Sequence, residues 1–154
     1  MGVMDDATEE LYLKYSPELL RFAAVLVGPA DAEDMVSSAF LRTLSSRRWS
    51  EVTEHRAYLY RAVLNEARQG ARSSRRRLAR ELAVARPDST EPDSLRVDVA
   101  DAVAGLSIQQ RAVLFLTYWF EMTAAETAAT LDISQRSTER LLTSARFRLR
   151  RSLQ

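Results

Sequence analysis

Apolar positions recur at three- and four-residue intervals along most of the chain, the period of helices with one buried face. Leu19, Phe22, Ala23 and Leu26 form one such stripe, and Gly28-Pro29 ends it. Upstream, Ser16-Pro17 joins an N-cap residue to a proline suited to a first turn, so the helix is expected to start or break there. A second helix is expected over Asp31 to Leu44, with Val36, Ala39, Phe40 and Leu44 inward. Asp31, Glu33 and Asp34 load its N-terminal end, where acids meet the positive pole of the helix dipole. Ser45 to Val52, with Trp49, reads as a loop. A long helix then runs from about Glu54 towards Arg80, turning Leu59, Val63 and Leu64 inward.

The pattern lapses between Val84 and Asp93, which hold Pro87, Pro92 and little that could pack. That stretch reads as a flexible, acidic linker. Helical spacing resumes beyond it. Ser107 and Gln110 have the spacing of a capping box ahead of Val113, Leu114 and Leu116. Thr123 and Glu126 repeat that spacing at the head of a short helix ending at Leu131. Only Asp132-Ile133-Ser134 separates this helix from a last one, which runs from Gln135 almost to the C-terminus. The expected fold is all-α, with two small helical domains over residues 1–80 and 96–154 joined by a linker over 81–95.

Charge sharpens this division. The formal net charge is only +1, yet residues 1–46 carry a net of −5, residues 47–80 a net of +7, residues 82–110 a net of −3 and residues 133–154 a net of +5. Two basic blocks set between acidic ones suit two contacts with nucleic acid and separate contacts with something else. Composition also removes several classes. Without cysteine there is no disulfide, thiolate metal site or cysteine nucleophile. His55, the single histidine, leaves too few nitrogens for a histidine zinc site. No apolar run reaches the ~20 residues of a membrane-spanning helix, and the N-terminus is acidic where a signal peptide is basic. A cytoplasmic protein is expected, with no cofactor.

Two helices joined by a three-residue turn, the second strongly basic, have the plan of a DNA-reading helix-turn-helix. Ala125, Ala128 and Ala129 would let the helices approach closely, Ile133 would plug the turn, and Leu141, Leu142, Ala145 and Leu149 would line the inner face. Gln135, Arg136, Glu139 and Arg140 would face outward near the start of the second helix. Arginine pairs with guanine and glutamate with cytosine in the major groove. Arg146, Arg148, Arg150 and Arg151 would meet phosphates. The front half has no Gly-rich phosphate loop and no histidine dyad, and so nothing that marks an enzyme. What it has is a basic helix with Tyr58 and Tyr60 among Arg61, Arg68, Arg72 and Arg75-Arg76-Arg77, preceded by Trp49 beside Arg47 and Arg48. Rings that stack on bases, next to guanidiniums that track a backbone, suit single-stranded DNA. The alternative is that the tyrosines are core residues.

The chain resembles the extracytoplasmic-function class of sigma-70-type factors over roughly residues 9–80 and 96–153. Asp31-Ala-Glu-Asp-Met-Val followed by Ala39-Phe40-Leu41-Arg42 is similar to sigma region 2.2. Arg56-Ala-Tyr-Leu-Tyr-Arg-Ala-Val-Leu-Asn65 is similar to regions 2.3 and 2.4. Leu106-Ser-Ile-Gln-Gln-Arg111-Ala-Val-Leu114 and Ala125-Glu-Thr-Ala-Ala-Thr-Leu131 are similar to region 4. This resemblance implies a non-enzymatic transcription initiation factor whose partners are core RNA polymerase, through its β′ clamp helices and β flap, promoter DNA and an anti-sigma factor. Asp34, Val36, Phe40, Leu41 and Arg42 would dock on the β′ clamp helices. Trp49 and Tyr58 would capture a flipped base of the −10 element, with Arg61, Asn65, Arg68 and Arg72 holding that element. Gln135, Arg136, Ser137, Glu139 and Arg140 would read the −35 element. The acidic linker would thread towards the active-site and RNA-exit channels. Ser37 and Ser38 stand where the family often has glutamine, and Asp132 and Arg136 where glycine is common. A stand-alone helix-turn-helix regulator with a dimerising front half, or a sigma-like adaptor that binds polymerase without initiating, are the other readings the residues allow.

Overall fold

Seven α-helices and one 3-10 turn make up the described part of the computed structural model, which covers residues 6–70 and 94–154, with side chains at 6–70 and 99–154. Helix α1 spans Asp6–Val27 and α2 spans Pro29–Ser45. Gly28, at φ 92°, makes the sharp break between them, a backbone region that suits glycine. Pro29 then opens α2, where a missing N–H costs nothing. Contrary to expectation, α1 runs straight through Ser16-Pro17. The carbonyl that loses its donor to Pro17 belongs to Leu13, an exposed residue that water can reach.

After a single 3-10 turn at Trp49–Glu51, α3 spans His55–Gln69. It ends earlier than expected, at Gly70, whose N–H bonds back to the Glu66 carbonyl at 3.1 Å. The expected continuation to Arg80, and the linker up to Asp93, lie outside the described residues. Helix α4 then covers Ser94–Ala104, α5 Ile108–Tyr118, α6 Ala124–Leu131 and α7 Gln135–Ser152. Both capping boxes form. Ser107 and Gln110 exchange bonds of 3.1 and 2.9 Å, and Thr123 and Glu126 exchange bonds of 3.1 and 3.1 Å. Asp132 caps α6 in the left-handed conformation at φ 56°.

Leu19, Phe22, Ala23, Leu26, Val36, Ala39, Leu59, Val63 and Leu64 are buried, as their spacing implies. At the helix-turn-helix the close approach is made by Ala128 with Thr127 and Thr138, all buried, while Ala125 and Ala129 face outward. The two halves share one apolar cluster, with Ile108, Val113, Phe115 and Leu116 joined to the front-half residues. Phe22 lies at the seam, its ring 4.8 Å from that of Tyr60 and 5.4 Å from that of Phe115.

Candidate nucleic-acid interface

Tyr58 and Tyr60 sit on α3 two residues apart, about 200° of rotation, and so face different surroundings. Tyr60 is fully buried, packed edge-on to Phe22, and burial, reinforced by the nearby Glu18, pushes its phenol well above its ordinary value. It is a core residue. Tyr58 is half-buried and looks out onto the basic face. Its hydroxyl donates to Ser46 Oγ at 3.3 Å, and its ring lies 5.7 Å from that of Trp49, which in turn lies 4.9 Å from the His55 ring. The Arg61 guanidinium stands 6.0 Å over the Tyr58 ring. The aromatic rings of the loop and Arg61 are therefore neighbours of Tyr58, although eight residues separate Trp49 from Tyr58.

A pocket of about 280 Å³ opens beside them, lined by Arg42, Thr43, Tyr58, Arg61, Asn65 and Glu66. Arg61, Asn65 and Arg68 line a second, narrower cleft on the same face. Of the residues expected at a −10 element, Trp49, Tyr58, Arg61, Asn65 and Arg68 thus fall along one surface; Arg72 lies outside the described residues. Sequence reasoning passed over Glu66, which holds Arg42 at 2.6 Å. The acid lies five positions after Arg61 and two before Arg68, and its spacing gave no cue that it bonds a different helix.

Helix α2 presents Asp34, Leu41 and Arg42 outward, Leu41 being 66% exposed. Val36 and Phe40 are 1% and 4% exposed, with Phe40 edge-on to Tyr12 at 4.9 Å. A partner docking on α2 would meet Asp34, Leu41 and Arg42, while Val36 and Phe40 hold the helix from beneath.

On α7, Gln135, Arg136, Glu139 and Arg140 are all exposed along its first two turns. Ser134 caps the helix by accepting from the Ser137 amide at 3.0 Å, and donates to the Ser137 hydroxyl at 2.9 Å, so Ser137 is engaged locally. Gln135 Nε2 donates to Glu139 at 3.3 Å and steers that carboxylate. Arg136, Glu139, Arg140, Thr143, Ser144 and Phe147 form one continuous shallow groove. Phe147 was missed, although 59% exposed, because an aromatic at helical spacing reads as core. Of the four arginines expected on phosphates, two also bond within the protein while staying exposed, Arg146 donating to the Tyr118 hydroxyl at 2.6 Å and Arg148 to Gln110 at 3.3 Å. On the far side of the rear half lies an apolar groove of about 370 Å³, lined by Leu114, Phe115, Tyr118, Trp119 and Leu149 together with Val25 of α1. Among the described residues no cluster of three or more His, Cys, Asp or Glu could hold a metal, and no helix is long and apolar enough to cross a membrane.

Known proteins match this arrangement along most of the chain. Residues 11–77 match the family of sigma-70 region 2, and residues 96–149 match sigma-70 region 4. An RNA polymerase sigma-E factor of Streptomyces antibioticus is 35% identical over 153 residues, covering 95% of this chain and 84% of its own length. Its counterpart in Streptomyces coelicolor is 33% identical over 152 residues, covering 94% and 85%. In three dimensions the chain is similar to CnrH, solved in complex with the cytosolic domain of CnrY, at a TM-score of 0.69 and 25% identity, covering 97% of this chain and 89% of that one.

Proposed function

Because the chain belongs to the sigma-70 family, as an RNA polymerase sigma factor of the extracytoplasmic-function type, we propose that its two halves divide promoter recognition by the state of the DNA. It is a non-enzymatic initiation factor that binds core RNA polymerase and directs it to promoters. In the proposed division, α3 and the loop before it take the −10 element as a single strand, and the first turns of α7 take the −35 element as duplex. The observation that carries this reading is the presence of two chemically different basic faces. One interleaves Trp49 and Tyr58 with Arg61, Asn65 and Arg68, which suits unstacked bases. The other is a line of exposed Gln135, Arg136, Glu139 and Arg140 without aromatics between them, which suits base edges in a major groove.

The finer contacts follow from the same surfaces. Asp34, Leu41 and Arg42 would meet the β′ clamp helices of the polymerase, and the apolar groove beside Trp119 fits the β flap. The two family matches fall within residues 1–80 and 96–154, which supports those boundaries, with the acidic residues 81–95 running between them towards the polymerase channels. An anti-sigma factor is the expected third partner; the similar CnrH binds a cytosolic domain of another protein, CnrY. The protein would work in the cytoplasm, where its polymerase is. The test is transcription in vitro by core polymerase with and without the protein, on sheared DNA of its own genome, with transcript ends sequenced. Starts that appear only with the protein and share motifs near −10 and −35 are expected. Binding to core polymerase without any new start would overturn the initiation reading in favour of an adaptor.

A further inference from the structure

Gln110 carries a polar side chain that is only 7% exposed, and capping accounts for part of what its amide does. At the head of α5, Oε1 accepts from the Ser107 N–H at 2.9 Å while the Gln110 N–H donates to Ser107 Oγ at 3.1 Å. A capping box needs no more than that acceptor, and the box at Thr123 takes it from Glu126, an exposed residue. The Gln110 amide reaches further, to α7. Nε2 donates to Ser144 Oγ at 2.7 Å, and Oε1 also accepts from Arg148 Nη1 at 3.3 Å. These bonds agree on one orientation of the amide. Its oxygen faces two donors, a backbone N–H and a guanidinium. Its nitrogen faces a hydroxyl that sends its own proton to the Leu141 carbonyl at 3.3 Å.

Ser144 and Arg148 stand one turn apart on α7 and so stack on one face. One accepts and the other donates, which gives the clamp a direction. With α7 displaced by one turn, Arg140 or Arg148 would stand against the amide nitrogen, donor against donor. The buried face of α7, made of Thr138, Leu142 and Ala145, is mostly apolar, and apolar contact fixes no such direction. Ser144 also continues the stripe of Arg136 and Arg140 at four-residue intervals, and all three line the shallow groove of α7. The amide therefore grips the stripe whose first two turns carry the side chains aimed at bases. A rotation of about 20° on a helix of about 5–6 Å radius moves side-chain ends by about 2 Å. A hydrogen bond to a base edge does not survive such a shift.

We propose that Gln110 is a positioning residue for −35 recognition: through Ser144 and Arg148 it sets the rotation and register of α7, and so where Arg136, Glu139 and Arg140 meet base edges. This rests on the assignment of α7 to the −35 element above. Gln110 itself touches no DNA. Arg148 is exposed, and a guanidinium has donors enough to hold Gln110 and a backbone phosphate together.

The experiment measures −35 discrimination by the holoenzyme, as occupancy of a promoter it initiates from in competition with the same promoter carrying single −35 substitutions. Gln110→Met keeps the bulk but none of the amide's bonds, and should lower the preference about tenfold, roughly the effect of one mismatched base pair. Ser144→Ala leaves the capping box intact and favours the helix. It should relax the preference to the same degree, with the double variant no worse than either single one. Gln110→Glu offers Ser107 and Arg148 the same acceptor, and Ser144 can turn its proton towards the carboxylate, so the parent's preference should return. Thermal midpoints of the free proteins check that each variant folds; should Gln110→Met not fold, Ser144→Ala decides. A residue that only stabilised the fold would leave the preference of folded holoenzyme unchanged. Folded variants that discriminate as the parent does, losses that add in the double variant, or a Gln110→Glu no better than Gln110→Met overturn the proposal. A parent without −35 discrimination would overturn the −35 assignment as well.

Discussion

Asp132 occupies the left-handed region at φ 56°, at the cap between α6 and α7. Asparagine and aspartate tolerate that conformation better than most residues, but glycine adopts it without steric cost. Asp132→Gly should therefore stabilise the protein by about 1 kcal/mol, seen as a rise of about 2–4 °C in the thermal midpoint; a fall would mean that the aspartate side chain makes a contact worth more than the strain it carries. Single residues also show where sequence legibility ends. Val36 and Phe40 are read inward by periodicity and are inward, although a motif resemblance places them at a partner surface. Tyr58 and Tyr60 could not be told apart from their chemistry, because both are aromatic and both neighbour arginines. Which of them meets solvent is decided by the helix's rotation against Phe22, a residue almost forty positions away.

At the scale of elements, local chemistry was the readable part. Gly28-Pro29 stops α1, the two capping boxes open α5 and α6, and three residues turn the chain between α6 and α7. Each rests on bonds within four residues, so each is written in the sequence. Pro17 misled because the cost of a missing N–H depends on whether water can reach the orphaned carbonyl, and that depends on packing. The second capping box carries a pH dependence. Bonds from the Thr123 amide and hydroxyl lower the Glu126 carboxyl below its ordinary value. A group depressed in the folded state contributes fully above its unfolded value, about 4.3, and loses that contribution as pH falls through the folded one. Amide protection across Ala124–Leu131 should then fall on acidification below about pH 4 more steeply in the parent protein than in Glu126→Gln. Parallel curves would place the acid response elsewhere.

The whole molecule is where the sequence was least informative. Composition and charge indicated two basic regions in an all-helical chain, and both faces carry them. The shared core, with Phe22 between Tyr60 and Phe115, and the reach of Arg111 to α1 are contacts across most of the chain length, which no local pattern encodes. One cluster implies one cooperative unit. Urea unfolding should give a single transition, and Phe22→Ala should lower its stability by about 3–5 kcal/mol without splitting it. Two transitions would show that the halves fold independently.

The central claim is that the front half handles melted DNA and the rear half duplex. Permanganate footprinting of the holoenzyme on a promoter it initiates from tests this most directly, because permanganate reports unstacked thymines. With the parent protein, thymines in the −10 region should become reactive. Asn65→Ala with Arg61→Ala should abolish that reactivity while the −35 region stays protected from nuclease. Arg140→Ala should weaken occupancy of the duplex about 10- to 100-fold, as loss of one base-reading arginine implies, yet leave thymine reactivity at −10 intact once holoenzyme is raised to saturate the promoter. The opposite assignment, with Arg140→Ala abolishing −10 reactivity at full occupancy or the α3 variants releasing the −35 region first, would contradict the division of labour.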